Sequence, residues 1–433
     1  MVTLQTPCTF SEWLGYIEKL HPQDIDMGLE RVRSVYTRLG AHFDCPVIIV
    51  GGTNGKGSTS TMLQSMLMQA GYRVGLYTSP HIRIFNERAC INGEMLPDDE
   101  FVHGFEAVDK ARGETRLTYF EFTTLAILHL FAEARLDAVI LEVGLGGRLD
   151  AVNVIDADVA VVTNVDIDHV DYLGDTREQI GYEKAGIFRA GRAAICGDPQ
   201  PPQSLLRHAE EIGADLWLMG RDFSCSADKS EWHYAGRSQK RRQLDYPALK
   251  GSNQIKNASL ALAALEALQH RLPVGDAAAR DGLRRAYLPG RFQILPGKPV
   301  VILDVAHNPH AAAVLADNLA GLEPSGATHA VFGAMGDKDI AGVIEKMKKA
   351  VDYWYVTDLP LARAASAEQL KEQLLAAKIG GFSDAEPGET IKIFSSSAKA
   401  LACAKSSAAE NDKIIVFGSF WTVAGVTPAK TFE

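Results

Sequence analysis

Cysteine is sparse and never closely paired: Cys8, Cys45, Cys90, Cys196, Cys225 and Cys403 contain no CxxC spacing. That speaks against a disulfide framework and a zinc knuckle, and points to reduced thiols in a cytoplasmic protein. Positive charge is also in deficit. With 44 Lys and Arg against 54 Asp and Glu, the formal charge of -10 argues against broad nucleic-acid binding, while leaving room for one local basic pocket facing an anionic substrate. Long apolar runs are missing too. The most lipid-like window, Leu117 to Ala134, is broken by Glu121, His129 and Glu133 and reads as a buried helix rather than a membrane span. Glu12, Trp13 and Glu18 interrupt what an export signal would need. Tandem repeats and low-complexity tracts are absent. A chain of 433 residues is nonetheless too long for one ordinary core, so two domains are expected.

What is present is concentrated first in PVIIVGGTNGKGSTSTMLQSMLMQAG, residues 46–71. Pro46 to Val50 reads as a short buried strand, and Met62, Leu63, Met66, Leu67 and Ala70 recur at helical spacing. Between them, Gly51, Gly52, Gly55 and Gly57 leave the backbone free to turn successive N–H groups toward an anion at the helix N-terminus. Lys56 supplies a mobile positive charge, and Ser58 and Thr59 supply hydroxyls for phosphate or metal. The usual P-loop ends Gly-Lys-Ser/Thr, whereas here Gly57 intervenes. The bland alternative, a plain strand-to-helix turn, rarely carries four glycines, a lysine and paired hydroxyls together.

Before this stretch, two helices are expected within residues 10–40, separated by HPQDIDMGLERV. After it, YRVGLYTSP reads as a second strand ending in a polar corner, where parallel sheets place ligands. Asn92-Gly93 between alternating apolar residues signals a hairpin. Asp98 begins a helix running to about Arg112, and another helix spans 120–134. LDAVILEVG is a strand ending at Glu142, a carboxylate placed either to bind Mg²⁺ or to be capped at the surface. GLGGRLDAVN carries Arg148, Asp150 and Asn153. ADVAVVTNVDIDHVDYLG opens from a buried strand into Asp166, Asp168, His169 and Asp171, a crowd of ionisable groups that is costly unless cation or water faces it; a satisfied packing histidine is the alternative for His169. Lys184 in GYEKAGIFRAG reads by itself as an exposed lysine, KRR at 240–242 as a solvated loop, and the segment from Ser252 as an amphipathic helix with Asn257 in its first turns. AYLPGRFQILPGKP marks the junction, giving domains of 1–293 and 294–433. The fold class expected is α/β, with a P-loop-type, mostly parallel sheet in the N-domain and a smaller Rossmann-like α/β C-domain.

Taken together and in this order, GTNGKGST (52–59), TSPH (78–81), FNER (85–88), FEFTT (120–124), LEVGLGGRLDAVN (141–153), TNVDIDHVDYLG (163–174), EKAGI (183–187), GRFQ (290–293) and DVAHNPHA (304–311) resemble the folylpolyglutamate synthase family, and within it the bacterial bifunctional members. The inserted Gly57 belongs to this family's version of the loop and is absent from the related Mur ligases. The resemblance implies an ATP-dependent amide ligase. ATP would phosphorylate a carboxylate to an acyl phosphate, which the α-amine of L-glutamate then attacks.

By motif, the resemblance implies that Asn54, Gly55, Lys56, Gly57, Ser58 and Thr59 hold the ATP phosphates. Ser79 and Glu142 would ligate one Mg²⁺ and His169 a second, while Lys184 would be carbamylated, turning a cation into an anion. Asn257, Arg291 and Asp304 would contact nucleotide, the last two from the junction and C-domain, so that ATP lies between domains and closure completes the site. The pterin-bearing substrate would touch Asp24, Ile25 and Asp26, then Thr118, Tyr119, Phe120 and Glu121, then Leu149, Asp150 and Ala151. The implied partners are dihydropteroate, tetrahydrofolate polyglutamates and L-glutamate, handled by a cytoplasmic monomer that binds neither nucleic acid nor membrane. Two alternatives stay open on sequence: a folylpolyglutamate synthase without dihydrofolate synthase activity, and a P-loop switch ATPase.

Overall fold

The computed structural model describes residues 7–23, 25–228, 230–323, 326–379 and 390–427. The chain divides into two compact units, one of Met1–Ala248 with Ile255–Ala286, the other of Leu249–Gln254 with Tyr287–Glu433. The break therefore falls at 286/287, ahead of the 293/294 expected from the Pro/Gly pairs, and residues 249–254 go with the second unit.

The first unit runs α1 (Phe10–Ile17), α2 (Glu30–Leu39), β1 (Val47–Gly51), α3 (Lys56–Gln69), β2 (Val74–Tyr77), β3 (Ala89–Ile91), β4 (Glu94–Met95), α4 (Asp98–Arg112), α5 (Tyr119–Glu133), β5 (Ala138–Glu142) and β6 (Val159–Val162). It continues with α6 (Val170–Leu173), α7 (Arg177–Ala185), β7 (Ala193–Cys196), α8 (Gln203–Glu211), β8 (Asp215–Leu218), β9 (Ser224–Ala227), β10 (Glu231–Ala235), β11 (Lys240–Asp245), α9 (Gln254–Ala267) and α10 (Asp276–Arg285). Eight strands form one sheet in the order β4-β3-β2-β5-β1-β6-β7-β8, parallel from β2 to β8. β1 lies between β5 and β6 and is buried along its whole length, as a strand covered on both faces must be, which is why its sequence is an unbroken apolar run. The Asn92-Gly93 hairpin is formed, with both residues at positive φ (52° and 78°), as a two-residue turn of that composition requires.

The helix after β1 is held from outside by α10. A Cβ on Gly282 would fall 2.4 Å from the Met66 Cα, and Ser65 Oγ donates to the Gly282 carbonyl at 2.7 Å. Two helix backbones touch here, so Gly282→Ala would push α10 off the helix that starts at the phosphate-sized loop, an overpacking cost of about 1–3 kcal/mol.

Three local expectations are corrected. KRR at 240–242 is not a solvated loop but the start of β11, in the antiparallel sheet β11-β10-β9; Arg241 is buried, donating to Asp276 Oδ1 at 2.6 Å and to the Val274 carbonyl at 2.8 Å. α9 is not amphipathic, because Asn257 to Glu266 are buried without interruption. Its Glu266 carboxylate caps the turn at Ser238 and Gln239 and accepts from Tyr234 at 2.7 Å. Lys184 is buried, at 4% exposure, rather than exposed.

The second unit contains β12 (Gln293–Leu295), β13 (Val300–Leu303), α11 (Pro309–Ala320), β14 (Thr328–Phe332), α12 (Ile340–Met347), β15 (Tyr353–Thr357), α13 (Ala367–Ala376), β16 (Ile391–Phe394), α14 (Ser397–Ser407), β17 (Lys413–Phe417) and α15 (Phe420–Ala424). Its sheet, β12-β13-β17-β14-β15-β16, is parallel except for the edge strand β12. Helices bury it through Leu315, Ile344 and Leu370 against Phe332, Trp354 and Phe417. Both units are therefore layered, parallel-rich α/β structures, as the alternation of strand and helix patterns implied.

Candidate active site

The loop after β1 is fixed chiefly by the strand beside it. Where β6 ends, Thr163 Oγ1 donates to the Asn54 carbonyl at 2.6 Å, and Asn164 Oδ1 accepts from the amides of Thr53 and Asn54 at 3.2 and 2.9 Å. Thr53 Oγ1 donates to the Asp166 carbonyl at 3.1 Å and accepts the Asp166 amide at 2.9 Å. With the Thr53 amide also donating to the Asn164 carbonyl at 3.0 Å, TNVD thus braces TNGK through six hydrogen bonds between two strand ends. Neither Thr163 nor Asn164 was a sequence candidate. The signal that could have found them is a polar pair at the end of a strand expected to neighbour β1.

Gly55 opens α3 in the left-handed region at φ 85°, where a Cβ would sit 2.6 Å from Asn257 Oδ1. The glycine is thus required both by the turn and by a side chain pressed against it. This contact brings Asn257, about 200 residues later, beside the loop. Lys56 Nζ lies over the loop, donating to the carbonyls of Gly52 (3.1 Å) and Thr53 (3.3 Å). Gly57, Ser58 and Thr59 are buried in the first turn, and Thr59 Oγ1 has no hydrogen-bond partner among the described residues. The chemistry is that of an anion cradle: a helix start, a lysine at its mouth, and hydroxyls behind it.

Two expected cation ligands are adjacent. The Ser79 amide donates to Glu142 Oε2 at 3.3 Å, and Glu142 is buried at the end of β5, next to the loop-bearing β1. It is not a capped surface carboxylate. His169 sits half-buried in the left-handed region at φ 53°, its amide held by Asp168 Oδ1 at 2.9 Å. Lys184 is lowered to about 7, chiefly by burial and then by the Lys56 ammonium, with Asp168 opposing. Lys184 therefore feels the charges of both Lys56 and Asp168. Asp150 is raised to about 6 by burial, against the pull of the Leu145, Val152 and Gly144 amides and of Lys56.

The three expected substrate stretches converge. Asp24 lies outside the described residues. Asp26 Oδ2 pairs with Arg31 at 2.8 Å, and the same guanidinium reaches Glu121 Oε1 at 2.9 Å, tying the segment before α2 to the start of α5. Glu121 also closes a capping box with Thr118, accepting its amide at 2.8 Å. Phe120 and Asp150 flank Gly144, where a Cβ would lie 2.4 Å from Phe120 and 3.3 Å from Asp150 Oδ2. Asp150 in turn caps the short helix at Ala151–Val154. Tyr119, Ile25 and Leu149 are half-buried around them. Arg31 was missed because a charged residue early in a helix gives no sign of a partner 90 residues away.

In the second unit, Arg291 lies 5.3 Å over the Phe420 ring. Asp304, at the end of β13, accepts from the Phe292 and Ala306 amides at 2.8 Å each. Burial raises its pKa, with Arg291 the chief opposing influence. The two are electrostatic neighbours within their own unit.

Residues 50–265 match the Mur ligase middle domain, and residues 290–420 match the Mur ligase, glutamate ligase domain. An Escherichia coli protein named dihydrofolate synthase/folylpolyglutamate synthase is 45% identical over 425 residues, covering 98% of this chain and 96% of its own length. This chain belongs to the dihydrofolate synthase/folylpolyglutamate synthase family. Among solved structures of the family, E. coli FolC in complex with DHPP and ADP superposes with a TM-score of 0.91 at 45% identity, with 98% of each chain covered. The Yersinia pestis bifunctional folylpolyglutamate synthase/dihydrofolate synthase, complexed with AMPPNP and Mn ion, gives 0.89 at 44% identity with the same coverage. No helix among the described residues is long and apolar enough to cross a membrane.

Proposed function

We propose that this protein is an ATP-dependent amide ligase that adds L-glutamate to dihydropteroate, forming dihydrofolate, and to tetrahydrofolate and its polyglutamates. The observation that carries this reading is whole-length likeness, at 45% identity, to a relative named for both activities. The anion cradle beside a serine and a buried glutamate supports it. In the proposed reaction the substrate carboxylate takes the γ-phosphoryl group of ATP, and the amine of glutamate then displaces phosphate to leave an amide.

Asn54 to Thr59 would hold the phosphates, with Lys56 countering charge between the β- and γ-positions. Asn257, Arg291 and Asp304 would contact nucleotide. Ser79 and Glu142 would hold one Mg²⁺ and His169 another; the donor set of hydroxyl, carboxylate and imidazole, with Glu142 buried yet aimed at Ser79, fits a small divalent cation. Mg²⁺ when bound neutralises charge on the transferring phosphoryl group. Lys184, held low by burial, has the neutral amine that carbamylation by CO₂ requires, the proton being released to water. Ile25, Asp26, Thr118 to Glu121 and Leu149 to Ala151 would receive the pterin-bearing substrate, with Arg31 fixing two of these stretches to each other. Residues 1–248 with 255–286 would form the ATP-binding part, and 249–254 with 287–433 the C-terminal ligase part. A cytoplasmic setting suits the six free cysteines.

The test is ADP release with ATP and Mg²⁺, adding glutamate together with either dihydropteroate or tetrahydrofolate. Glutamate-dependent turnover with both acceptors is expected. Turnover with tetrahydrofolate alone would reduce the protein to a single activity, and hydrolysis indifferent to both acceptors would indicate a switch ATPase.

A further inference from the structure

The long helix that begins at Thr118 in the candidate active site carries, at its far end, a group of ligating side chains that the proposed function does not use. His129 and Glu133 stand one turn apart on α5, on the same face as i and i+4. His103 reaches them from α4. The two helices come close there because Gly104, next to His103, has no side chain: a Cβ at that position would lie 3.1 Å from Leu130 and 3.3 Å from the Ala126 carbonyl.

Both imidazoles turn Nε2 toward the one carboxylate. His103 Nε2 is 3.1 Å from Glu133 Oε2, and His129 Nε2 is 3.6 Å from Glu133 Oε1. All three ligating atoms fall within 4.8 Å of one another. Metal–ligand bonds of about 2.0–2.2 Å in a tetrahedron put ligand atoms roughly 3.3–3.6 Å apart, a spacing close to both imidazole–carboxylate separations, one to each oxygen of Glu133. His129, only 15% exposed, is held in place by its helix. His103 and Glu133 are open to solvent, at 60% and 53%, which leaves an entry path and a position for water.

We propose that His103, His129 and Glu133 form a binding site for a late first-row divalent cation, Zn²⁺ being the best fit, which clamps α4 to α5. Two imidazole nitrogens and one carboxylate oxygen are a borderline donor set that selects Zn²⁺, Co²⁺, Ni²⁺ or Cu²⁺ over the hard, oxygen-seeking Mg²⁺. Glu133 is the last residue of α5, where the carbonyl end of the helix dipole favours a cation. As a plain surface ion pair the same contacts would contribute little.

The site is tested on the full chain, stripped with chelator and titrated with Co²⁺ in excess Mg²⁺, reading the visible d–d bands, followed by Zn²⁺ competition against a chromophoric chelator. The wild type should bind one equivalent more Co²⁺ than His103→Ala or His129→Ala, and Zn²⁺ should raise its melting temperature but not theirs. Glutamate-dependent turnover in Mg²⁺ alone should be the same in all three. Equal Co²⁺ stoichiometry in the wild type and both variants, or a Zn²⁺ melting shift that survives in His103→Ala, would overturn the assignment. His103 is mostly exposed, so its replacement leaves the fold intact as the control for His129.

Discussion

Thr163→Val tests whether the phosphate loop is shaped by the strand behind it. The Thr163 hydroxyl is buried, 2.6 Å from the Asn54 carbonyl, and nests so closely against the loop that a Cβ placed on Gly52 would fall 1.9 Å from it. Valine has the same shape but no donor, and its methyl cannot sit at hydrogen-bond distance from a carbonyl oxygen, so the loop must shift and the Asn54 carbonyl loses this hydrogen bond. Losing one such half-buried hydrogen bond costs about 0.5–1.5 kcal/mol. If the loop must recover its shape to take up nucleotide, that cost appears in binding, and at about 1.4 kcal/mol per tenfold it corresponds to roughly a 2- to 12-fold rise in Kd. The measurement is calorimetric titration with AMPPNP, alongside thermal melts. Thr163→Ser keeps the hydroxyl and should bind close to wild type. Wild-type affinity in a folded Thr163→Val protein would refute the reasoning, because the brace would then have no bearing on the loop's competence.

Lys56→Ala should keep a near-normal melting temperature, since the side chain packs on loop carbonyls rather than in the core, while ligation falls by about 100-fold or more; matched turnover would remove the phosphate role. Kept free of CO₂, and so as the plain amine, Lys184 gives a pH signature. Its folded-state value of about 7 lies below its ordinary 10.5, so the unfolded chain binds more protons between those limits and stability should rise as pH climbs from about 7 to 10.5. Lys184→Met should flatten that rise in denaturant titrations, and an unchanged slope would assign it to other groups. Arg291→Ala should lower turnover without unfolding the protein, and wild-type kinetics would take Arg291 out of the nucleotide site.

Some of this was legible from the chain alone because the physics involved is local. A strand buried on both faces must be apolar throughout, which is why β1, β5 and β6 could be read as strands with polar residues waiting at their ends. Asn92-Gly93 could be read as a hairpin because few other residues accept positive φ at both positions. The glycines, lysine and hydroxyls of residues 51–59 announce an anion cradle for the same reason: spacing along one turn is itself geometry. Four things depended on the tertiary fold. Arg241 was misread as a loop residue because its partners, Asp276 and the Val274 carbonyl, lie more than thirty residues on. Lys184 was misread as exposed because burial is a property of neighbours. The brace from Thr163 and Asn164 exists only because β6 lies beside β1. The meeting of His103 with His129 and Glu133 rests on one glycine that lets two helices close. Sequence determines which groups are present and how each stretch of backbone bends; which distant groups share a low-dielectric space, and so perturb and hold one another, is decided only when the layers pack.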